Sequence, residues 1–545
     1  MNYCFNCGVK LETEMKFCPD CGVRIAEYEA KTDSRKTRGI IFTNKSALAQ
    51  KYAVSEQYIN ELLQRYINKL QQASVAYTLV DVSYSLTPEH SWLQHSSILA
   101  DYYNGISEQQ RPNYLFIIGS SDIIPMPVVE HFIADRDFPD GDIETDLPYS
   151  YLSGEKTQEL LWSAEIFRRT PLFHVGRLPL GTDSTIETLN NYLLRAEKAA
   201  ESGIEVYCAY GQTDINWREV SVKVSSGLSP LLPAAMHEFD EDVCHQGLFT
   251  TPFVDAANVR QVFDTGAHLY YFNMHGSDAP SDSGFVGQHL YDGAYVHGIS
   301  PEQISRVRKS NIFVTEACYG AKFNGYKTQY SMLLSALSSQ TVNYLGSSRI
   351  AWGMIDLTLE KYPSANLNNA DLICHTFMES LRHGASMGEA LYEARKSCFK
   401  STLSPIEASS IVTFNLFGDP TIFSVWKNGE KRALRSKDLK MPPLASETSP
   451  VGFSVKTIET GGSLLSVVRG MVDKNIAHIR EKLANYIGEN LGLDPDSLRC
   501  MLKVKYISGN EEYISVFSKQ TDNHKKFYLI ETDSTGNINT VLTSK

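Results

Sequence analysis

An open, mostly parallel α/β sheet flanked by helices is the fold class this sequence predicts, with a small cysteine-rich unit ahead of it and an α+β domain behind it. Three observations predict it. Apolar runs of strand length alternate with amphipathic helical stretches over most of the chain, the pattern of a sheet covered on both faces. Two C-x-x-C-G units stand within the first 22 residues. In the last hundred residues the texture changes to one amphipathic helix and short strands separated by Gly, Asn and Asp, the pattern of a helix packed on an antiparallel sheet.

The alternation begins at residue 39. GIIFT reads as a strand, QYINELLQRYINKLQQ as a helix with one apolar face, AYTLVDVS as a strand, SWLQHSSILADYYNGI as a helix and YLFIIGS as a strand. It continues with helix TIETLNNYLLRAEKAAESG, strand IEVYCAY, helix EVSVKVSSGLSPLL, strands HLYYFNM and NIFVTEA, helix YSMLLSALSS and strand TVNYLGSS. One long helical stretch, NADLICHTFMESLRHGASMGEALYEARKSC, follows, and the domain closes at FNLFGDPTIFSV. Beyond a Lys-, Arg-, Pro- and Ser-rich linker come the helix NIAHIREKLANYIGENLG and the strands CMLKVKYIS, EEYISVFSK, KFYLIETD and NTVLTS. The predicted organisation is residues 1–25, a linker 26–38, a main domain 39–426, a linker 427–450 and a C-terminal α+β domain 451–545.

At 545 residues the chain exceeds what one hydrophobic core supports. With 42% hydrophobic and 21% charged residues it has the composition of an ordinary globular protein. A net charge of −12 argues against nucleic acid or an anionic membrane as partner, since both require clustered Lys and Arg. The N-terminus lacks the charged and apolar regions of a secretory signal, and no apolar run approaches the roughly 20 residues that cross a bilayer. The expectation is a cytoplasmic protein. In a reducing compartment, clustered cysteines mean metal or catalysis.

Cys4, Cys7, Cys18 and Cys21 form the two C-x-x-C-G units. Each unit can set two thiolates on a tight turn, and four thiolates suit one tetrahedral, structural Zn2+. A segment this short folds only around its metal, so the expectation is a zinc ribbon that docks a protein partner. A redox C-x-x-C is the alternative reading.

Two reactive residues stand just past buried strands: His275-Gly276 after HLYYFNM, and Cys318-Tyr319-Gly320 after NIFVTEA. Ligands bind outside the carboxyl ends of parallel strands, so neighbouring strands would bring the two into one cleft. Cysteine attacks as thiolate, and an imidazole beside it can lower its pKa and later protonate a leaving amine. The flanking glycines let backbone N–H groups approach a developing oxyanion. Cys208 lies inside the predicted strand VYCAY, Cys374 and Cys398 lie on helical patterns, and Cys244 and Cys500 lack a flanking Gly.

From about residue 110 to 425 the sequence resembles the catalytic domain of gingipain-type cysteine peptidases, relatives of the caspases. YLFIIGSSDIIP, TDLPYSYLSG, FHVGRLPL, NMHGS, IFVTEACYG and LFGDPTIF carry the resemblance in order, and E-A-C-Y-G follows His275 by 43 residues. The resemblance implies a caspase-like fold, peptide-bond hydrolysis through an acyl-enzyme, His275 and Cys318 as the catalytic dyad, and an oxyanion hole from the N–H groups of Gly276 and Cys318. It further implies cleavage after Arg or Lys of a protein or peptide substrate. Asp214, in AYGQTDINWRE, matches the acid that receives the basic side chain, and Trp352, in GSSRIAWG, matches an aromatic wall of the same pocket. An Asp there can equally be a turn residue or a helix cap. The family's carboxylate that orients the histidine has no counterpart in AYGQT, so either a carbonyl does that task or catalysis is slower. Asp146 in TDLPY reads as structural. The rival readings are a catalytically inactive scaffold acting through its ribbon and C-terminal domain, and a ligase using the same thioester. Basic residues in both linkers, including Arg35 and Lys431 to Lys440, lead to the further expectation that the C-terminal domain restrains the peptidase or presents substrates to it, and that self-cleavage at 431–440 alters that restraint.

Overall fold

Runs such as Ile40-Ile41-Phe42 and Leu115 to Ile118 are apolar at every position, so they satisfy both faces of a strand only when helices cover both sides of the sheet. The computed structural model describes residues 2–3, 10–11, 37–87, 89–133, 135–152, 169–228, 231, 247–256, 266–279, 283–289, 294–356, 366–399, 403–426, 453–462, 474–506, 508–521 and 524–545. Cys4, Cys7, Cys18 and Cys21, with most of both linkers, lie outside them.

The principal strands are β1 Thr37–Thr43, β2 Val75–Asp81, β3 Tyr114–Ile118, β4 His174–Leu178, β5 Ala209–Asp214, β6 Gly247–Thr251 and β7 Leu269–Asn273. They continue with a hairpin, β8 Phe285–Gln288 and β9 Tyr295–Ile299, and then β10 Asn311–Thr315, β11 Thr341–Ser347, β12 Trp352–Gly353 and β13 Phe414–Phe417. Ten of these form one sheet in the order β6-β5-β7-β10-β11-β13-β4-β3-β1-β2. Every neighbouring pair is parallel except β11 with β13. The sheet is thus two parallel halves of opposite direction, and the strands leading to His275 and Cys318 are neighbours in one of them.

Helix α1, Glu56–Gln72, starts at a Ser55 cap and buries Ile59, Leu62, Leu63, Tyr66, Ile67 and Leu70, the face its 3.6-residue period predicts. Tyr66 and Tyr77 donate to the two oxygens of buried Asp419 at 2.6 and 2.7 Å, fastening α1 and β2 to the LFGDP segment after β13. Two local expectations are corrected. The long helical stretch is two helices, α2 Asn369–Arg382 and α3 Met387–Ser397, because Gly384 takes a left-handed φ of 87° and Ser386 caps the second. Cys208 is not within a strand but between Ile204–Val206 and β5, since the chain changes sheets there.

The C-terminal part is a helix, α4 Lys474–Tyr486, on an antiparallel sheet of β14 Phe453–Gly462, β15 Leu498–Tyr506, β16 Glu511–Thr521, β17 His524–Asp533 and β18 Ile538–Ser544. Ile479, Leu483 and Ile487 are fully buried there. The sheet has two members that the four-strand reading lacks. One is β14, ahead of the helix. The other is β12 of the main domain, which pairs antiparallel with β18, Trp352 opposite Ser544 and Gly353 opposite Thr543. Among the described residues, no helix is long and apolar enough to cross a membrane.

Candidate active site

β7 and β10 run parallel and in register, Leu269 beside Ile312 and Phe272 beside Thr315, so their carboxyl ends deliver His275 and Cys318 to the same edge of the sheet. Both residues line one cavity, with Gly276, Ser277 and Tyr319. The two turns are pressed together: a Cβ on Gly276 would sit 2.0 Å from the carbonyl oxygen of Cys318, so only glycine fits behind the histidine. Tyr319 adopts a left-handed φ of 53°, a strained conformation for a bulky residue and one that clusters at functional sites. Its N–H is held by the Arg349 carbonyl at 2.9 Å. The Ala351 N–H lies 3.3 Å from the Cys318 sulfur. Burial pushes the Cys318 thiol up to about 12, so in this packed state it is protonated.

The Asp214 carboxylate lies 3.8 Å from His275 Nε2, an electrostatic contact rather than a hydrogen bond. It is fully buried and accepts from the Asn216 N–H at 2.7 Å, the Asn216 side chain at 2.8 Å and the Gln288 N–H at 2.5 Å. Burial raises its pKa, against the pull of Lys526 and of these donors. The Trp217 ring packs on the imidazole at 4.4 Å between centroids.

Trp217 also borders a second, wholly buried charge cluster. Lys545 Nζ donates to Glu316 at 2.5 Å and to Asp371, and lies 5.4 Å from the centre of the Trp217 ring. Tyr271 donates to the other oxygen of Glu316 at 2.6 Å, and the Met354 N–H to Asp371 at 2.7 Å. Burial raises the pKa of Glu316, only partly offset by Lys545, and the two carboxylates hold Lys545 above the ordinary lysine range against its own burial. A Cβ on Gly353 would fall 1.9 Å from Lys545 Cε, so this glycine leaves the channel through which the lysine enters. The backbone of Lys545 is fixed as well: its N–H donates to Ala351 O at 3.1 Å, and its carbonyl accepts from the Cys318 N–H at 2.8 Å.

The model of peptidase family C25 matches residues 35–423. The chain belongs to that family. It is a cysteine-type peptidase, and the matched segment takes in the whole ten-stranded sheet. No curated protein matches this sequence. Similar solved structures include one described as a protease (10% identity, 94% of this chain and 97% of that one, TM-score 0.46). The Arg-specific cysteine proteinase gingipain R is similar too, at 10% identity, 94% and 98% coverage and a TM-score of 0.45. So is the complex of the pro- and mature domains of RgpB from Porphyromonas gingivalis, at 10% identity, 93% and 99% coverage and a TM-score of 0.45.

The site residues singled out in the sequence of this family C25 chain fall into two groups. His275, Gly276 and Cys318 come together on one cavity. Asp214 and Trp352 do not form a pocket with each other: Asp214 stands behind His275, and Trp352 is fully buried, with its ring 6.3 Å from that of Phe138. Asp214 closes β5, and the end of that strand carries its carboxylate to the imidazole. Sequence reasoning missed Glu316, although it lies two residues before Cys318 and a charged residue closing a buried strand is a signal in itself. It also missed Asp371, Gly353, Trp217 and Lys545, which no local pattern connects. Asp146 is structural: Arg177 makes two bonds to it, at 2.8 and 2.7 Å, and two more to the carbonyls of Gly119 and Ile124, both at 2.8 Å.

Proposed function

We propose that this cysteine endopeptidase uses Cys318 as nucleophile and His275 as base and acid, and that it cuts after a basic residue. The observation that carries the reading is the single cavity onto which His275, Gly276 and Cys318 open from two adjacent parallel strands. In the reaction, His275 takes the thiol proton as Cys318 Sγ attacks the scissile carbonyl. The oxyanion develops against the N–H of Cys318, which already donates to a carbonyl in this structure, and that of Gly276. His275 then protonates the leaving amine, a thioester remains, and water hydrolyses it to restore the thiol. Asp214 steadies the imidazolium through Nε2.

A basic residue on the acyl side is favoured by Glu316 and Asp371, two buried carboxylates that hold the ammonium of Lys545 while its carbonyl accepts from the Cys318 N–H. Short fluorogenic peptides with Lys, Arg or Asp before the reporter test both parts. Lys or Arg peptides are expected to be cleaved, with kcat/KM reduced roughly 10³-fold or more in Cys318→Ala and in His275→Ala. Unchanged hydrolysis by Cys318→Ala would overturn the nucleophile, and cleavage of the Asp peptide alone would overturn the basic preference.

A further inference from the structure

Three observations about the end of the chain have no part in the catalytic cycle. First, β18 is bonded to β12, so the C-terminal sheet is continued by the strand that follows Cys318 in space. Extended peptides bind in this way, adding an antiparallel strand to an exposed edge. Second, the residue after β18 puts its carbonyl oxygen 2.8 Å from the Cys318 N–H, where an oxyanion would be held. Third, the same residue is a lysine whose side chain fills a channel between Gly353 and Trp217 and ends between Glu316 and Asp371, with no exposed side-chain surface.

Each of the last three residues is read by the main domain. Trp217 Nε1 donates to the Thr543 hydroxyl at 3.2 Å, Ser544 lies opposite Trp352, and Lys545 is bonded at its N–H, its carbonyl and its ammonium. A second lysine, Lys526 on β17, lies 5.2 Å from the centre of the Trp217 ring and stabilises the charge of Asp214. Two lysines of the C-terminal domain thus meet three buried carboxylates of the peptidase.

We propose that residues 543–545 are a built-in occupant of the active-site cleft, docked as the acyl side of a substrate with Lys545 in the specificity pocket, and that the peptidase is restrained until this strand leaves. The inference rests on the proposed dyad and deepens it. It names lysine as the side chain the pocket is shaped for, and it makes the C-terminal domain the regulator. It also assigns a cleavage site. Any chain continuing past Lys545 would present the Lys545 carbonyl carbon to Cys318 Sγ; attack would form a thioester, expel the following amine with a proton from His275, and release the Lys545 carboxylate on hydrolysis. The cavity shared by His275, Ser277 and Tyr319 stays open beside Lys545 to receive that leaving segment.

The first experiment compares full-length wild type with Lys545→Ala and Lys545→Met, the latter keeping the stem and losing the charge. Alkylation of Cys318 by iodoacetamide, followed by peptide mapping, reads occupancy of the cleft without needing catalysis. Both variants are expected to label at least about tenfold faster than wild type and to cleave the Lys peptide with at least about tenfold higher kcat/KM. Equal labelling in all three would overturn the restraint, whatever the peptidase activity. Faster labelling with no hydrolysis of the Lys peptide by any form would leave the occupied cleft standing and sink the proposed dyad and its basic preference. Circular dichroism and urea denaturation separate release of the strand from unfolding.

The second experiment appends a short Gly-Ser tail after Lys545. Intact mass is expected to return to Lys545 in wild type and to keep the tail in Cys318→Ala. A tail retained by a wild-type protein that still hydrolyses Lys peptides would overturn the substrate-like register.

Discussion

Arg177 and Lys545 both have side chains with no exposed surface, and both are held by carboxylates, yet they belong to different kinds of structure. Arg177 is on β4 and spends its donors on Asp146, Gly119 and Ile124, all from neighbouring segments of the same half-sheet. Those partners come from TDLPY and YLFIIGSSDIIP, and Arg177 from FHVGRLPL, so one guanidinium gathers three of the motifs on which the family resemblance rests. Lys545 reaches Glu316 and Asp371 from a different sheet, across residues 427–452. A buried cation supplied by the fold that surrounds it is architecture. A buried pair of carboxylates waiting for a cation that comes from another unit is a binding site. Arg177 is itself part of the sheet it braces, whereas Glu316 and Asp371 belong to the main domain and their cation comes from outside it.

The sharpest way to break this comparison is to remove each cation. Arg177→Met strands Asp146 in the core and is expected to lower unfolding stability by about 3 to 5 kcal/mol, as for other buried pairs that lose one partner. Lys545→Met should cost the main domain less, because Glu316 already favours its protonated form when buried and can stay neutral beside Tyr271, which leaves one charge on Asp371, still bonded by the Met354 N–H. Urea denaturation of both variants checks this, and equal losses would mean that Lys545 too is architecture.

A smaller effect separates the carboxylates by function. In the Lys545→Ala background, Asp371→Asn and Glu316→Gln are expected to lower kcat/KM for a Lys peptide by about 2 kcal/mol or more, roughly 30-fold. Stability should change by under about 1 kcal/mol, since both substitutes keep their size and hydrogen bonds. If the Lys peptide is cut as well as before while an Arg peptide is lost, the pocket reads a different cation from the one it holds here.

Much of the main sheet was legible because its strands are apolar on both faces, and periodicity alone separates them from helices such as α1. β14 was missed because Lys456, Thr457 and Glu459 interrupt its apolar residues, and the break after Arg382 was missed because the helical period resumes in phase with α3. The positions of His275 and Cys318 followed from a general rule about parallel strands. The pocket did not, for a physical reason: its parts come from β10, β12, α2 and the residue after β18, and a carboxylate in sequence carries no mark of which cation will reach it. Asp214 illustrates the same limit. Its residue type was right for a charge partner, but whether it faced a substrate or an imidazole depended on where β5 ends.

The gentlest probe of the comparison is the acidity of Cys318. Burial raises its thiol to about 12 in the occupied cleft, Asp140 pushes the same way, and the Ala351 N–H pulls against them. A thiol whose folded pKa lies above the unfolded value near 9 contributes stability that is complete below about pH 9 and lost as pH rises toward 12. Since only thiolate is alkylated, labelling of wild type is expected to rise about tenfold per pH unit from pH 7 to 11 without a plateau. Withdrawing residues 543–545 admits water and removes part of the burial that sets the value. Lys545→Ala should therefore reach its plateau at or below about pH 9, the ordinary thiol range. A plateau at the same pH in both proteins would show that the cover over Cys318 belongs to the main domain itself. Lys545 would then rest in its pocket without guarding the nucleophile.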